Sequence, residues 1–207
     1  MSKTKYPVII FEGIEASGKS TNINNFSKYL KQNNYKFIKI REPGGSKVSE
    51  KLRKLMLNKN SNLNAKTDLL LVMASRSENI DKILNKHYQK KIILIDRFTD
   101  STIAYQHYGM GINLKTIKSL NSFVVGKFKP NLTFLCTVNK KNMFKRLSSR
   151  SRTNRYDNFK FKFYDKVRKG FEKLSKNKTN YVLLESDKSS QKENLNKIIK
   201  AFKKIIN

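Results

Sequence analysis

Short apolar runs recur along the chain, separated by longer stretches in which apolar positions return at helical spacing. The runs at 6–11, 35–40, 91–95, 131–138 and 181–184 are mostly apolar over their whole length. That is the character of parallel strands buried on both faces, which lack the alternation of half-exposed strands. The stretches at 19–33, 47–57, 65–87, 114–125, 140–149, 158–176 and 192–206 read as helices. Strand and helix in alternation predict an α/β fold, a five-stranded parallel sheet flanked by helices. At 207 residues the chain reads as one domain over 1–207, with no internal repeat. The apolar pattern lapses after Leu147, where 148–155 holds Ser and Arg but no apolar residue. A mobile exposed loop is expected there, approximately 148–158.

Directly after the first run and opening the first helix, Gly13, Ile14, Glu15, Ala16, Ser17, Gly18, Lys19 and Ser20 fit the pattern G-x-x-x-x-G-K-[ST]. Glycines let backbone N–H groups turn inward around phosphates, and the helix N-terminus adds a favourable field. Lys19 is placed to reach β and γ oxygens, and the Ser20 hydroxyl to ligate Mg²⁺. A carboxylate within an anion loop is unexpected. Glu15 either points to a second ligand, such as a sugar hydroxyl, or is an exposed loop glutamate.

The third run ends in Asp96-Arg97, at the carboxyl edge of a parallel strand, where open α/β sheets bind ligands. Asp96 suits Mg²⁺ and Arg97 a phosphate; a capping aspartate with a surface arginine is the plainer alternative. Arg41-Glu42-Pro43-Gly44-Gly45 leaves the second strand in the same way. Turn chemistry accounts for Pro-Gly-Gly but not for Arg41, which is either a ligand group or solvated. Arg76 falls within the apolar stripe Leu69, Val72, Met73, Ile80, Ile83, Leu84. It either snorkels past the core or projects into a cleft. Tyr105 and Gln106 are open in the same sense, with core packing the default for a lone Tyr.

Composition narrows the choices. Basic residues number 45 against 15 acidic, a formal +30, which by itself suggests nucleic acid or an anionic membrane. Lysine is dispersed over every segment, however, as when AT-rich codons drift onto exposed positions, so no specific nucleic-acid partner and no membrane is expected. Against that background Arg150, Arg152 and Arg155 stand out, because arginine suits planar bidentate recognition of phosphate; a solvated basic loop is the alternative. Cys136 is the single cysteine and His87 and His107 the only histidines. An intramolecular disulfide is excluded and a metal-ligand cluster is not indicated, which fits a reducing cytoplasm. Val8 to Phe11 is too short for a signal peptide and no run approaches the roughly 20 apolar residues of a membrane span.

Taken together, the motifs resemble thymidylate kinases over nearly the whole chain. They are the phosphate loop, Arg41 to Gly45, Arg76, and Asp96-Arg97 followed by Ser101, Ala104, Tyr105 and Gln106. The resemblance implies a single-domain P-loop kinase with a mobile lid that phosphorylates dTMP to dTDP with ATP and Mg²⁺. It also implies a cytoplasmic homodimer. Lys19, Ser20 and Arg97 would then handle phosphates and metal, Glu15 the dTMP sugar hydroxyl and Arg41 the acceptor phosphate. Arg76 and Gln106 would read the thymine edge, Pro43 would pack near the base, and Tyr105 would fill the place of a ribose 2′-hydroxyl. The loop has no arginine at its x positions, which is similar to the bacterial subtype with a catalytic lid arginine, here Arg155 first and Arg150 second. Two positions depart from the pattern: Val72 where an aromatic usually stacks on the base, and Asn154 where an aspartate commonly precedes the lid arginine. The rival readings are a kinase for another nucleoside monophosphate or deoxynucleoside, and a non-catalytic nucleotide or nucleic-acid-binding protein.

Overall fold

Strand β1 (Val8–Glu12) is buried along its entire length because it is the middle of the sheet, where side chains on both faces meet helices. It pairs in parallel with β3 (Ile92–Asp96) on one side and β4 (Leu132–Thr137) on the other. Beyond them β2 (Phe37–Arg41) and β5 (Tyr181–Glu185) complete the order β2-β3-β1-β4-β5. The computed structural model describes residues 3–149, 154–176 and 178–206. The expected five strands and their parallel sense are therefore observed.

Strand periodicity sorts the core into two layers. Ile9 and Phe11 face one cluster with Phe26 and Leu30 of α1 (Lys19–Gln32) and Ile198 and Phe202 of α9 (Gln191–Ile205). Val8 and Ile10 face the other, with Ile80, Leu84, Phe98 and Phe128. Helices α2 (Lys47–Leu57), α3 (Ala65–Asn79) and α6 (Leu114–Val125) stand on this second side. A third cluster joins Ile14, Leu135 and Met143 to Tyr156, Tyr164 and Val167, tying α7 (Lys140–Ser148) and α8 (Phe161–Ser175) to the phosphate loop.

Two elements differ from expectation. The stretch read as one helix over 65–87 becomes α3, a π-helical turn at Ile80–Leu84 and the short α4 (Asn85–His87). The change falls at buried Asn79, whose amide donates to the Gly44 carbonyl and accepts from the Ser46 N–H. After β3, α5 (Thr99–Thr102) runs into a π-helical segment, Ile103–Gly109, where no helix was expected. Residues 101–106 are buried all round, so the segment has no amphipathic period to betray it.

Candidate active site

Parallel pairing brings the carboxyl ends of β1 and β3 together, with Phe11 opposite Asp96. Gly13 leaves β1 with φ 137°, and a Cβ there would lie 2.2 Å from the Cys136 carbonyl oxygen. Only glycine lets the loop pass so close to β4. Ala16 and Gly18 are also left-handed, at φ 56° and 87°, so the chain curls before α1, whose first turn has no side-chain cap. Its leading N–H groups are available to an anion. The loop edges a cleft of about 620 Å³, within the range of small-molecule sites.

Lys19 is buried at the cleft and donates from Nζ to the carbonyls of Gly13 at 2.8 Å and Ile14 at 2.7 Å. Burial, with Arg97 close by, pushes its pKa down to about 8. Arg97 follows β3 in a left-handed conformation, φ 69°. Its Nη1 donates to the Gly13 carbonyl at 2.9 Å and its Nη2 to Glu15 Oε1 at 2.8 Å. Tyr105 donates its hydroxyl to the other Glu15 oxygen and lies under the Arg97 guanidinium. Burial works to raise Glu15, but Arg97 and Lys19 hold its carboxyl below the usual range. The loop carboxylate thus turns to Arg97 and Tyr105.

Among the described residues, five buried side-chain oxygens at the cleft have no protein partner: Glu42 Oε1, Asp96 Oδ1, Thr102 Oγ1, Gln106 Oε1 and Asn194 Oδ1. Asp96 Oδ1 is buried and unpaired, and Ser20 is exposed at the same cleft. Two hard oxygen donors facing a phosphate site fit Mg²⁺. Gln106 Oε1 is also buried and unpaired, while Gln106 Nε2 donates to Asp68 Oδ1 at 2.7 Å. Nearby, Arg76 donates from Nε to Glu42 Oε2 and from Nη1 to Asn121 Oδ1, each at 2.7 Å. Arg76 is 1% exposed yet lines the cleft, so it projects into the cleft and does not snorkel to bulk water. Burial raises the Glu42 carboxyl against the pull of Arg76.

Pro43, Val72, Ser101, Tyr105 and Ser17 line the same space. The side chain of Ile14 does not; it packs behind the loop with Leu135 and Met143, and its contribution is the carbonyl that Lys19 bonds. Arg41 is not at the cleft either. It alternates with Ile40 on β2, is exposed, and pairs with Glu50 at 3.1 Å. Arg53 of α2 lines the cleft instead, donating to the Pro43 carbonyl at 2.6 Å. Burial and the neighbouring Arg41 charge lower Arg53 to about 10. Arg155 is likewise turned away: its Nε donates to the Met56 carbonyl at 2.9 Å and its Nη2 pairs with Asp68. Buried Asp68 draws it off because an uncompensated interior carboxylate is costly. Arg150 and Arg152 lie outside the described residues.

The sequence reading also passed over Arg146, which donates to the Ala16 carbonyl at 3.0 Å and to Ser186 Oγ at 2.9 Å. A usable signal existed. Of the seven arginines among the described residues, Arg53, Arg76, Arg97 and Arg146 line the cleft, against Lys19 alone of the 36 lysines. The contrast of Arg with Lys, applied to the loop at 150–155, applies better to the whole chain. Glu12 was missed as well. It is buried and accepts from the N–H groups of Phe98 at 2.9 Å and Ser101 at 3.1 Å and from the Ser101 hydroxyl, pinning α5 to β1.

Known proteins resemble the chain over nearly its whole length. A family model described as thymidylate kinase matches residues 11–198. The thymidylate kinase of Thermosipho africanus is 37% identical over 182 residues, covering 87% of this chain and 90% of that protein. That of Kosmotoga olearia is 34% identical over 195 residues, covering 94% of each. The crystal structure of thymidylate kinase from Ehrlichia chaffeensis aligns with a TM-score of 0.77 at 32% identity, covering 96% of this chain and 98% of that one.

Proposed function

The chain belongs to the thymidylate kinase family, and from that premise we propose how its cleft residues divide the transfer of the γ-phosphoryl group of ATP to dTMP. The reaction yields dTDP and uses Mg²⁺. The observation that carries the division of roles is that one cleft is lined both by the phosphate loop and by Arg76 and Gln106.

The acceptor oxygen belongs to a phosphate monoester whose second pKa is about 6, so it is ionised near neutrality and requires no strong general base. The work left to the protein is to hold two polyanions in line and offset their charge. Lys19 exchanges its bonds to the Gly13 and Ile14 carbonyls for the β and γ oxygens. Arg97, braced by Glu15 and the Gly13 carbonyl, faces the transferring group and the acceptor phosphate. Arg53 takes the place first assigned to Arg41 at the acceptor phosphate, being the α2 cation that lines the cleft. Asp96 and Ser20 are the residues that would hold Mg²⁺, which supplies charge neutralisation at the β and γ oxygens when bound.

At the base, Arg76 offers a donor and Gln106 Oε1 an acceptor, matching the O4 and N3–H edge of thymine. Pro43 and Val72 give the apolar contact. Glu15 keeps lone pairs for the sugar hydroxyl, and Tyr105 closes the space beside it. Arg146 and Ser186 line the cleft with Asn22 and Asn194, a set suited to the ATP nucleoside. Because Arg155 is committed to Asp68, the lid role passes to Arg150.

A homodimer is supported by large apolar side chains left exposed on three helices that pack in series. Val48 and Leu55 of α2, Leu70 of α3 and Phe123 of α6 are exposed by 46%, 48%, 57% and 86%. No helix among the described residues is long and apolar enough to cross a membrane. Buried Cys136, which is in no disulfide, fits the cytoplasm.

The test is ADP formation by the purified chain with ATP and Mg²⁺, offered dTMP, dUMP, dCMP, AMP and thymidine in parallel. A rate seen chiefly with dTMP supports the acceptor assignment. A higher rate with AMP or thymidine would overturn the roles given to Arg76 and Gln106.

A further inference from the structure

Of the two groups aimed at the base edge, one cannot reverse its polarity and the other can. Arg76 carries only donors, whereas a glutamine amide turned by 180° exchanges its acceptor for a donor. Gln106 is 2% exposed and has a hydrogen-bond partner on one end alone: Nε2 donates to Asp68 Oδ1 at 2.7 Å, and Oε1 is the unpaired atom. Asp68, in the first turn of α3, is fully buried. It also accepts from the Tyr156 hydroxyl at 2.9 Å and from the Arg155 guanidinium. A carboxylate accepts and does not donate, so the NH₂ end of Gln106 must face it. The carbonyl end is thereby left to the cleft.

We propose that Asp68 is the positioning residue that fixes the polarity of the Gln106 amide and so makes the acceptor site selective for bases with an imide N–H. The proposal rests on the placement of Gln106 at the base edge. Thymine and uracil present N3–H to the Gln106 carbonyl. Cytosine presents a lone pair at N3 and an amino group beside it, opposing both Gln106 Oε1 and the Arg76 donors. Turning the amide to suit cytosine would set its carbonyl against the Asp68 carboxylate, with two buried acceptors and no proton between them. Discrimination at N3 therefore rests on Asp68, behind the amide that touches the base.

The test compares kcat/KM for dTMP, dUMP and dCMP in Asp68→Asn, Asp68→Glu and Gln106→Ala. Asparagine offers both a donor and an acceptor, so it holds Gln106 either way round. Asp68→Asn is expected to raise the dCMP to dTMP ratio about tenfold, chiefly through KM. It should leave the dUMP to dTMP ratio unchanged, because those bases share the edge. Asp68→Glu keeps the acceptor and should retain the wild-type dCMP to dTMP ratio. An equal fall for all three acceptors in Asp68→Asn would show mere structural support and overturn the proposal. If Gln106→Ala shifts the dCMP to dTMP ratio while Asp68→Asn does not, the placement of Gln106 stands and the role of Asp68 falls. If neither moves it, the placement itself is wrong. Should Asp68→Asn fail to fold because Arg155 loses its counter-charge, the double variant Asp68→Asn, Arg155→Gln removes that charge and is read for the same ratio.

Discussion

Arg97 Nη2 donates to Glu15 Oε1 at 2.8 Å, joining the end of β3 to the middle of the phosphate loop. The pair accounts for a carboxylate in a loop of anion-binding pattern: Glu15 is matched by a guanidinium. Arg97→Ala should lower kcat by about 100-fold or more, as loss of preorganised charge does elsewhere. Glu15→Gln should lower it less, because the amide oxygen still accepts from Arg97. Steady-state kinetics with saturating ATP and dTMP decide it; near-normal kcat in Arg97→Ala would remove the residue from the mechanism.

Lys19 is held in a site that disfavours its charge. Its folded pKa of about 8 lies below the ordinary 10.5. Between those values the unfolded chain binds the additional proton, so stability of the nucleotide-free protein rises with pH across the window. Lys19→Met should flatten that rise in melts taken from pH 8 to 10.5 and should abolish turnover. A variant with the same slope as wild type would show that Lys19 is not the group responsible.

The opposite sign applies to Glu12. Burial, then the neighbouring Asp100 charge, raise its carboxyl from 4.5 to about 7. Between these values the folded state binds more protons, so the fold loses stability as pH rises through the window. Glu12→Gln keeps an acceptor for the Phe98 and Ser101 N–H groups without a charge. The wild-type minus variant difference in unfolding free energy should therefore decline from pH 4.5 to 7. A difference constant with pH would sink the assignment.

Val72 lines the cleft with an aliphatic side chain of small area. Val72→Phe should lower KM for dTMP by about threefold to tenfold through stacking, with kcat little changed. An unaltered or raised KM would mean that the cleft packs the base elsewhere or has no room for the ring.

Phe123 is 86% exposed on α6, a heavy apolar group to leave in water. Sedimentation of the wild-type chain should give a dimer, and Phe123→Asp should shift it towards monomer at micromolar concentration. A monomeric wild type, or an unshifted variant, would rule out this face as the subunit contact.

Much of this molecule is legible in the order of its residues. The five strands, their parallel sense and the loop from Gly13 to Ser20 follow from apolar runs and local turn chemistry, which act over a few residues. Lys19 and Ser20 are marked by the phosphate-loop pattern, Asp96 and Arg97 by a strand end, Arg76 by its place in an apolar stripe and Gln106 by the family resemblance alone, and all line the cleft. The helical stretch at 101–106 is not legible, because a helix buried on every side carries no periodic signal.

What the sequence left open was the choice of partner. Arg76 meets Glu42 across 34 residues, Arg97 meets Glu15 across 82, and Arg155 meets Asp68 across 87. An arginine's type predicts that it seeks an acceptor, but which acceptor depends on distances and burial that exist only once the sheet has assembled. The same holds for Arg41, drawn to Glu50 on the next helix, and for the turn of the Gln106 amide. Local patterns settled the sheet, the loop and the chemistry available at its edge; tertiary packing decided which charges face the cleft and which cancel one another behind it.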